Sequence, residues 1–210
     1  MNTRVATVIG LLFWLVATLL PIGTWSEQLF GPLWGREVLW WMLVIALYGY
    51  VLMVERRSLS SIGFRRPGWL DLLLAFITGV FMVAGIIFIY NVLFPLLHLK
   101  MNASEMSSIL NTPFWYRFLL VTRAAVAEET LFRGYPIERI REWSGSRMLA
   151  GVITWAALTY AHLGGWGWPQ LIVAGFGGLL LTMLFLWRRN LWANVLTHWL
   201  ADGAGFLLPH

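Results

Sequence analysis

Seven stretches of this sequence are apolar enough to cross a lipid bilayer, and that repetition constrains the fold more than any single motif: Val5 to Ile22, Val38 to Val54, Leu70 to Leu97, Phe114 to about Phe132, Met148 to His162, Trp168 to Trp187 and Leu191 to Leu208. A helix needs about 20 apolar residues to cross the hydrocarbon. Within it, only helices and closed barrels satisfy their own backbone. The expected fold class is therefore all-α: a polytopic membrane helical bundle of about seven transmembrane helices. Composition agrees, with 59% hydrophobic and 12% charged residues and a mean hydropathy of +0.71, outside the range of soluble domains.

The positions of the positive charges say more than their net of +5, because arginines near span ends collect on the cytoplasmic side. With the N-terminus and Arg4 inside, that side also receives Arg56, Arg57, Arg65 and Arg66, then Arg133, Arg139, Arg141 and Arg147, then Arg188 and Arg189. The other side receives little beyond Arg36, Lys100 and Arg117. The alternation predicts a cytoplasmic N-terminus and an external C-terminus. Arginines scattered over loops form no basic face, so nucleic acid is not an expected partner; the lipid bilayer is. The first stretch shows no small-x-small cleavage site before Glu27 and is expected to be retained.

The chain has no cysteine, which removes thiolate nucleophiles, disulfides and Cys-ligated metals. Its basic residues are arginine apart from Lys100, a bias that points to a bacterial cytoplasmic (plasma) membrane. One integral domain is expected, with residues 1–54 as N-terminal transmembrane helices and 55–210 as the helical core. No internal repeat of the transporter kind is visible. The basic connection Glu55 to Trp69 is expected to lie at the lipid surface, and His98 to Pro113 to be an external polar segment. Trp25, Trp34, Trp40, Trp41, Trp69, Trp115, Trp143 and Trp187 fall near span ends, as interfacial anchors do. The glycines from Gly164 to Gly178 would let the fifth and sixth helices turn and pack closely.

Against this background the ionisable residues stand out, because charge inside a span is expensive and marks function. Glu128, Glu129 and Arg133 lie in one apolar run. Residues four apart share a helix face while neighbours diverge, so Arg133 is expected to neutralise Glu129 and leave Glu128 free to face a cavity. His162 closes the fifth stretch. Asn194, His198 and Asp202 follow at four-residue steps on one face of the last. A base, a histidine to share its proton and donors for an oxyanion are the parts needed to activate water and attack an amide. The carboxylates and histidines Glu128, His162, His198 and Asp202 could instead hold a divalent metal such as zinc. No cofactor is certain from the sequence, and neither a Gly-x-Ser-x-Gly nor a His-Glu-x-x-His motif is present.

The order Glu-Glu-x-x-x-Arg at Glu128, Glu129 and Arg133, then His162, then His-x-x-x-Asp at His198 and Asp202, resembles the CAAX protease and bacteriocin-processing (CPBP, or Abi) family of intramembrane endopeptidases, which includes the type II CAAX prenyl endopeptidases. The resemblance extends over roughly Glu55 to Leu208. It implies a hydrolase for CAAX-type or related membrane-associated peptide substrates, a (metallo)endopeptidase with its site between helices. Glu128 with His162 would activate the water, His198 and residue 202 would stabilise the oxyanion, and Glu129 with Arg133 would brace the site. Leu158 stands where the family's second motif has an aromatic residue. Asp202 stands where eukaryotic members have Asn; a charged Asp cannot donate, so it would orient His198 or bind a metal, with His198 and Asn194 left for the oxyanion. The alternative is a non-catalytic membrane scaffold or regulator of the same family. A proton-coupled transporter would call for paired broken helices in related halves. From the expected span ends, at ~1.5 Å per residue, Glu128 and His162 should lie more than ~10 Å apart in depth.

Overall fold

Each segment that the sequence marks as apolar falls largely on helix in the computed structural model, which describes residues 3–19, 22–163 and 167–208. Among the described residues there are nine helices: α1 (Thr3–Leu19), α2 (Ile22–Phe30), α3 (Pro32–Gly49, widening into a π-helical turn, Tyr50–Val54), α4 (Trp69–Phe88, a π-helical turn Ile89–Leu93 and a last turn Phe94–Leu96), α5 (Ala103–Leu110), α6 (Phe114–Glu129, a π-helical turn Thr130–Gly134 and a continuation Tyr135–Ser144), α7 (Arg147–Ala161), α8 (Gln170–Arg188) and α9 (Leu191–Phe206). Three of these are long and apolar enough to cross a membrane: Glu37–Val54, Trp69–Leu96 and Gln170–Arg188. The other expected spans fall on α1, α6, α7 and α9, which are shorter or carry more charge.

The bundle turns apolar side chains outward. Phe76, Ile77, Val80 and Phe81 of α4 and Met183 and Trp187 of α8 are exposed, while polar residues such as Glu129, Arg133, Thr154 and Asn194 are wholly buried. That inversion is the arrangement a hydrocarbon solvent selects, because unpaired polarity is costliest on the outside. Of the expected interfacial tryptophans, Trp25, Trp34, Trp69, Trp115, Trp143 and Trp187 are exposed.

Helix α6 is the axis of the molecule, and residues 129–140 are buried without interruption. α3 and α9 pack on its first half, and α1 and α7 on its continuation; α8 packs on α7 and α4. The apolar stretch that the sequence marks ends at about Phe132, and the helix runs on beyond it to Ser144. In the π-helical turn the Tyr135 N–H donates to the Thr130 carbonyl, five residues back, and the wider turn accommodates a proline that an unbroken α-helix would reject.

The end of the bundle carrying most of the arginines is closed by ion pairs. Arg139, fully buried, donates through Nε to both oxygens of Glu55 at 3.1 and 3.0 Å, and Tyr135 Oη donates to Glu55 Oε1 at 3.0 Å. Arg188 Nε donates to Asp71 Oδ1 at 2.7 Å. Glu138 accepts from Arg189 Nε at 2.8 Å and from Arg141 Nη2 at 2.9 Å.

The segment after Glu55 keeps Arg56, Arg65 and Arg66 exposed, and its middle is drawn into the bundle: Ile62 is fully buried, the Gly63 carbonyl accepts from Leu191 N at 2.8 Å, and the Phe64 ring packs edge-on between Tyr48 and Trp192. Gly63 ends the short 3-10 turn Leu59–Ile62 at φ 98°, a left-handed conformation that suits glycine. The segments before Glu37 and after His98 hold short helices, α2 and α5, the latter capped by Asn102.

Candidate active site

The hairpin of α6 and α7 brings the first two polar positions level. Glu128 sits about as far before Ser144 as His162 sits after Arg147, and the two helices pack along each other. The expected separation in depth is corrected accordingly: His162 Nε2 lies 3.8 Å from Glu128 Oε2. The error came from placing Glu128 at a helix end, whereas α6 runs on for several turns beyond it.

Glu129 is the hub of the buried cluster. Its Oε1 accepts from Arg133 Nη1 at 2.9 Å and pairs with His198 Nδ1 at 2.8 Å, and its Oε2 accepts from Asn194 Nδ2 at 3.1 Å. Arg133 Nη2 also donates to the Gly178 carbonyl at 3.2 Å, and Asn194 Nδ2 to the Leu181 carbonyl at 2.7 Å. One carboxylate thus ties α6 to α9, and its two partners tie both to α8. A buried charge is tolerable only with such pairing. Glycine at 178 permits the approach: a Cβ there would lie 3.0 Å from Leu158 Cδ2 and 3.5 Å from Arg133 Nη2. Both protons of the Asn194 amide are engaged, so Asn194 braces Glu129 and has none left for an oxyanion.

Glu128, Arg133, His162, His198 and Asp202 line a single cavity of about 90 Å³, together with Met82 and Ile86 from α4, Leu158 from α7, and Gln170, Val173, Ala174, Gly177, Gly178 and Leu181 from α8. His162 Nδ1 lies 2.9 Å from the Leu158 carbonyl. A carbonyl only accepts, so Nδ1 carries the hydrogen and Nε2 of the neutral ring presents its lone pair toward Glu128. Across the cavity, His198 is held between two carboxylates, Glu129 at Nδ1 and Asp202 Oδ2 at 3.3 Å from Nε2.

His198 has both nitrogens engaged with carboxylates, and His162 has one left. Among the described residues no three of His, Asp or Glu gather as a set able to hold an ion. Glu128, His162, His198 and Asp202 therefore stand as two pairs, an arrangement that does not fit a bound zinc.

Several members of the site are silent in sequence. Gln170, Met82 and Ile86 line the cavity, and Trp155 Nε1 donates to the Gly175 carbonyl at 2.8 Å, fastening α7 to α8. Helical spacing on α8 could have flagged Gln170, which shares a face with Gly177, Gly178 and Leu181. Gly164 and Gly165, expected to shape the turn, lie outside the described residues.

Residues 109–204 match the family described as type II CAAX prenyl endopeptidase Rce1-like. This segment is an Rce1-like domain. Comparison with curated proteins and with solved structures gives no match. The Rce1-like segment covers α6 to α9 almost completely, and so contains every residue of the polar cluster. Only the apolar wall from α4, Met82 and Ile86, is supplied from outside it.

Proposed function

We propose that the chain is an intramembrane endopeptidase that hydrolyses a peptide bond with a water activated by Glu128 and His162. The observation that supports this best is the opposition of two lone-pair acceptors, Glu128 Oε2 and His162 Nε2, 3.8 Å apart on one cavity. That gap is too long for a direct hydrogen bond and close to the span of one water donating a proton to each. Such a water keeps a lone pair for a substrate carbonyl carbon. Glu128 takes the proton as the C–O bond forms and returns it to the amide nitrogen as the C–N bond breaks. His198, held at Nδ1 by Glu129, offers the oxyanion its Nε2–H, which it shares with Asp202 across a long 3.3 Å contact; Arg133 and Asn194 hold Glu129 in place. No step is assigned to a metal.

The substrate is a CAAX-type or related membrane-associated peptide, as the Rce1-like match suggests. The chain sits in a bacterial cytoplasmic membrane with a cytoplasmic N-terminus, α1, α6, α7 and α9 completing seven spans with the three long helices. Residues 1–54 brace the core of 55–210. The test is cleavage of a defined library of unrelated peptides by the full chain in liposomes, read by mass spectrometry. Wild type should cut and Glu128→Gln should lose at least ~100-fold in rate. A folded wild type that cuts nothing, or equal cutting by Glu128→Gln, gives the scaffold reading instead.

A further inference from the structure

The cavity contains one polar group that the proposed mechanism does not use. Gln170, in the first turn of α8, lines it together with Glu128, His162 and His198. Its Oε1 is buried and has no hydrogen-bond partner. A buried acceptor left unpaired is costly and calls for an explanation.

The wall below Gln170 supplies the context. Val173, Ala174, Gly177, Gly178 and Leu181 follow on the same face of α8, where Met82 of α4 packs on Gly177 and Leu158 of α7 on Gly178. The main-chain carbonyls of Gly175 and Gly178 are already taken by Trp155 and Arg133. The Oε1 of Gln170 is thus an unspent acceptor of α8 on this cavity.

We infer that Gln170 is a substrate-positioning residue whose side-chain amide pairs with a backbone peptide group of the bound substrate at the Gln170 end of the cavity. A carboxamide is the complement of a peptide group, with an acceptor for its N–H and donors for its C=O. It has no complement in a hydrocarbon chain. The contact reads the backbone, so its contribution is the same for substrates of unrelated sequence. This inference rests on the peptidase reading.

The experiment uses the full chain in liposomes and the same peptide library. Gln170→Leu is expected to lower kcat/KM about tenfold by a similar factor for each cleaved peptide. For one such peptide, each backbone N–H is then replaced in turn by an ester oxygen. At one position wild type should lose that same factor and Gln170→Leu should lose nothing further, the mark of a shared contact. Both Gln170→Leu and a second variant, Gln170→Met, should unfold at or above the wild-type temperature, because each removes an unpaired buried atom. Equal kcat/KM for variant and wild type, additive losses at every ester position, or a lowered unfolding temperature in both variants would overturn the inference and leave the peptidase reading standing. A library untouched by wild type sinks that reading, and the inference with it.

Discussion

Glu129 Oε1 and His198 Nδ1, 69 residues apart in sequence, lie 2.8 Å apart between α6 and α9. The same oxygen accepts from Arg133, whose side chain is 1% exposed. Removing the carboxylate therefore leaves a buried guanidinium uncompensated. Glu129→Gln is expected to lose about 3–5 kcal/mol of stability, read as a shift of the denaturant midpoint in detergent. Glu128→Gln, whose side chain is 19% exposed, should stay within about 1 kcal/mol. Equal losses for the two variants would contradict the division between a structural and a free carboxylate.

Gly134 lies where α6 passes the segment after Glu55. A Cβ at this position would sit 2.7 Å from the Ile62 carbonyl oxygen and 2.9 Å from Leu191 Cδ2. The oxygen is backbone and cannot rotate away. Gly134→Ala should destabilise by about 1–3 kcal/mol, and an unfolding curve identical to wild type would show that the contact is looser than described.

Trp155 tests the joint between α7 and α8. Trp155→Phe keeps most of the ring but leaves the Gly175 carbonyl without its donor. A loss of about 0.5–1.5 kcal/mol is expected, accompanied by slower peptide cleavage if His162 and Gln170 move apart. Unchanged stability would remove this hydrogen bond from the account of how the cavity is held.

Much of the site was legible because charge in an apolar helix has few places to go. Glu128, Glu129, Arg133, His198 and Asp202 had to face inward, and four-residue spacing paired Arg133 with Glu129 and aligned Asn194 with His198. The level of Glu128 was not legible, since the apolar stretch stops at about Phe132 while the helix runs on to Ser144, and nothing local announces a π-helical turn. The partners supplied by main-chain carbonyls, Leu158, Gly175, Gly178 and Leu181, carry no residue signature at all. The burial of Ile62 and Gly63 was hidden behind the arginines around them, which look like a surface segment.

Glu138 sets the pH response outside the spans. Burial pushes its carboxyl pKa up, but Arg189 and Arg141 outweigh that and hold it below the ordinary 4.5. A carboxylate depressed by folding contributes stability above its unfolded pKa and loses that contribution as pH falls through the folded one. The stability gap between wild type and Glu138→Gln should be full at neutral pH and shrink as pH drops below 4.5. A gap that widens on acidification would reverse the sign and refute the assignment.

The contacts of α4 along the cavity differ in kind from those of α9. Beyond Ala75, whose carbonyl accepts from Thr197, α4 meets its neighbours through apolar side chains: Gly79 against Leu200, Met82 over Gly177, and Gly85 under the Phe176 ring. Displacing that stretch of α4 separates hydrocarbon from hydrocarbon, whereas displacing α9 pulls an imidazole and an amide from a buried carboxylate. Resistance to opening is therefore unequal around the cavity, low toward α4 and high toward α9.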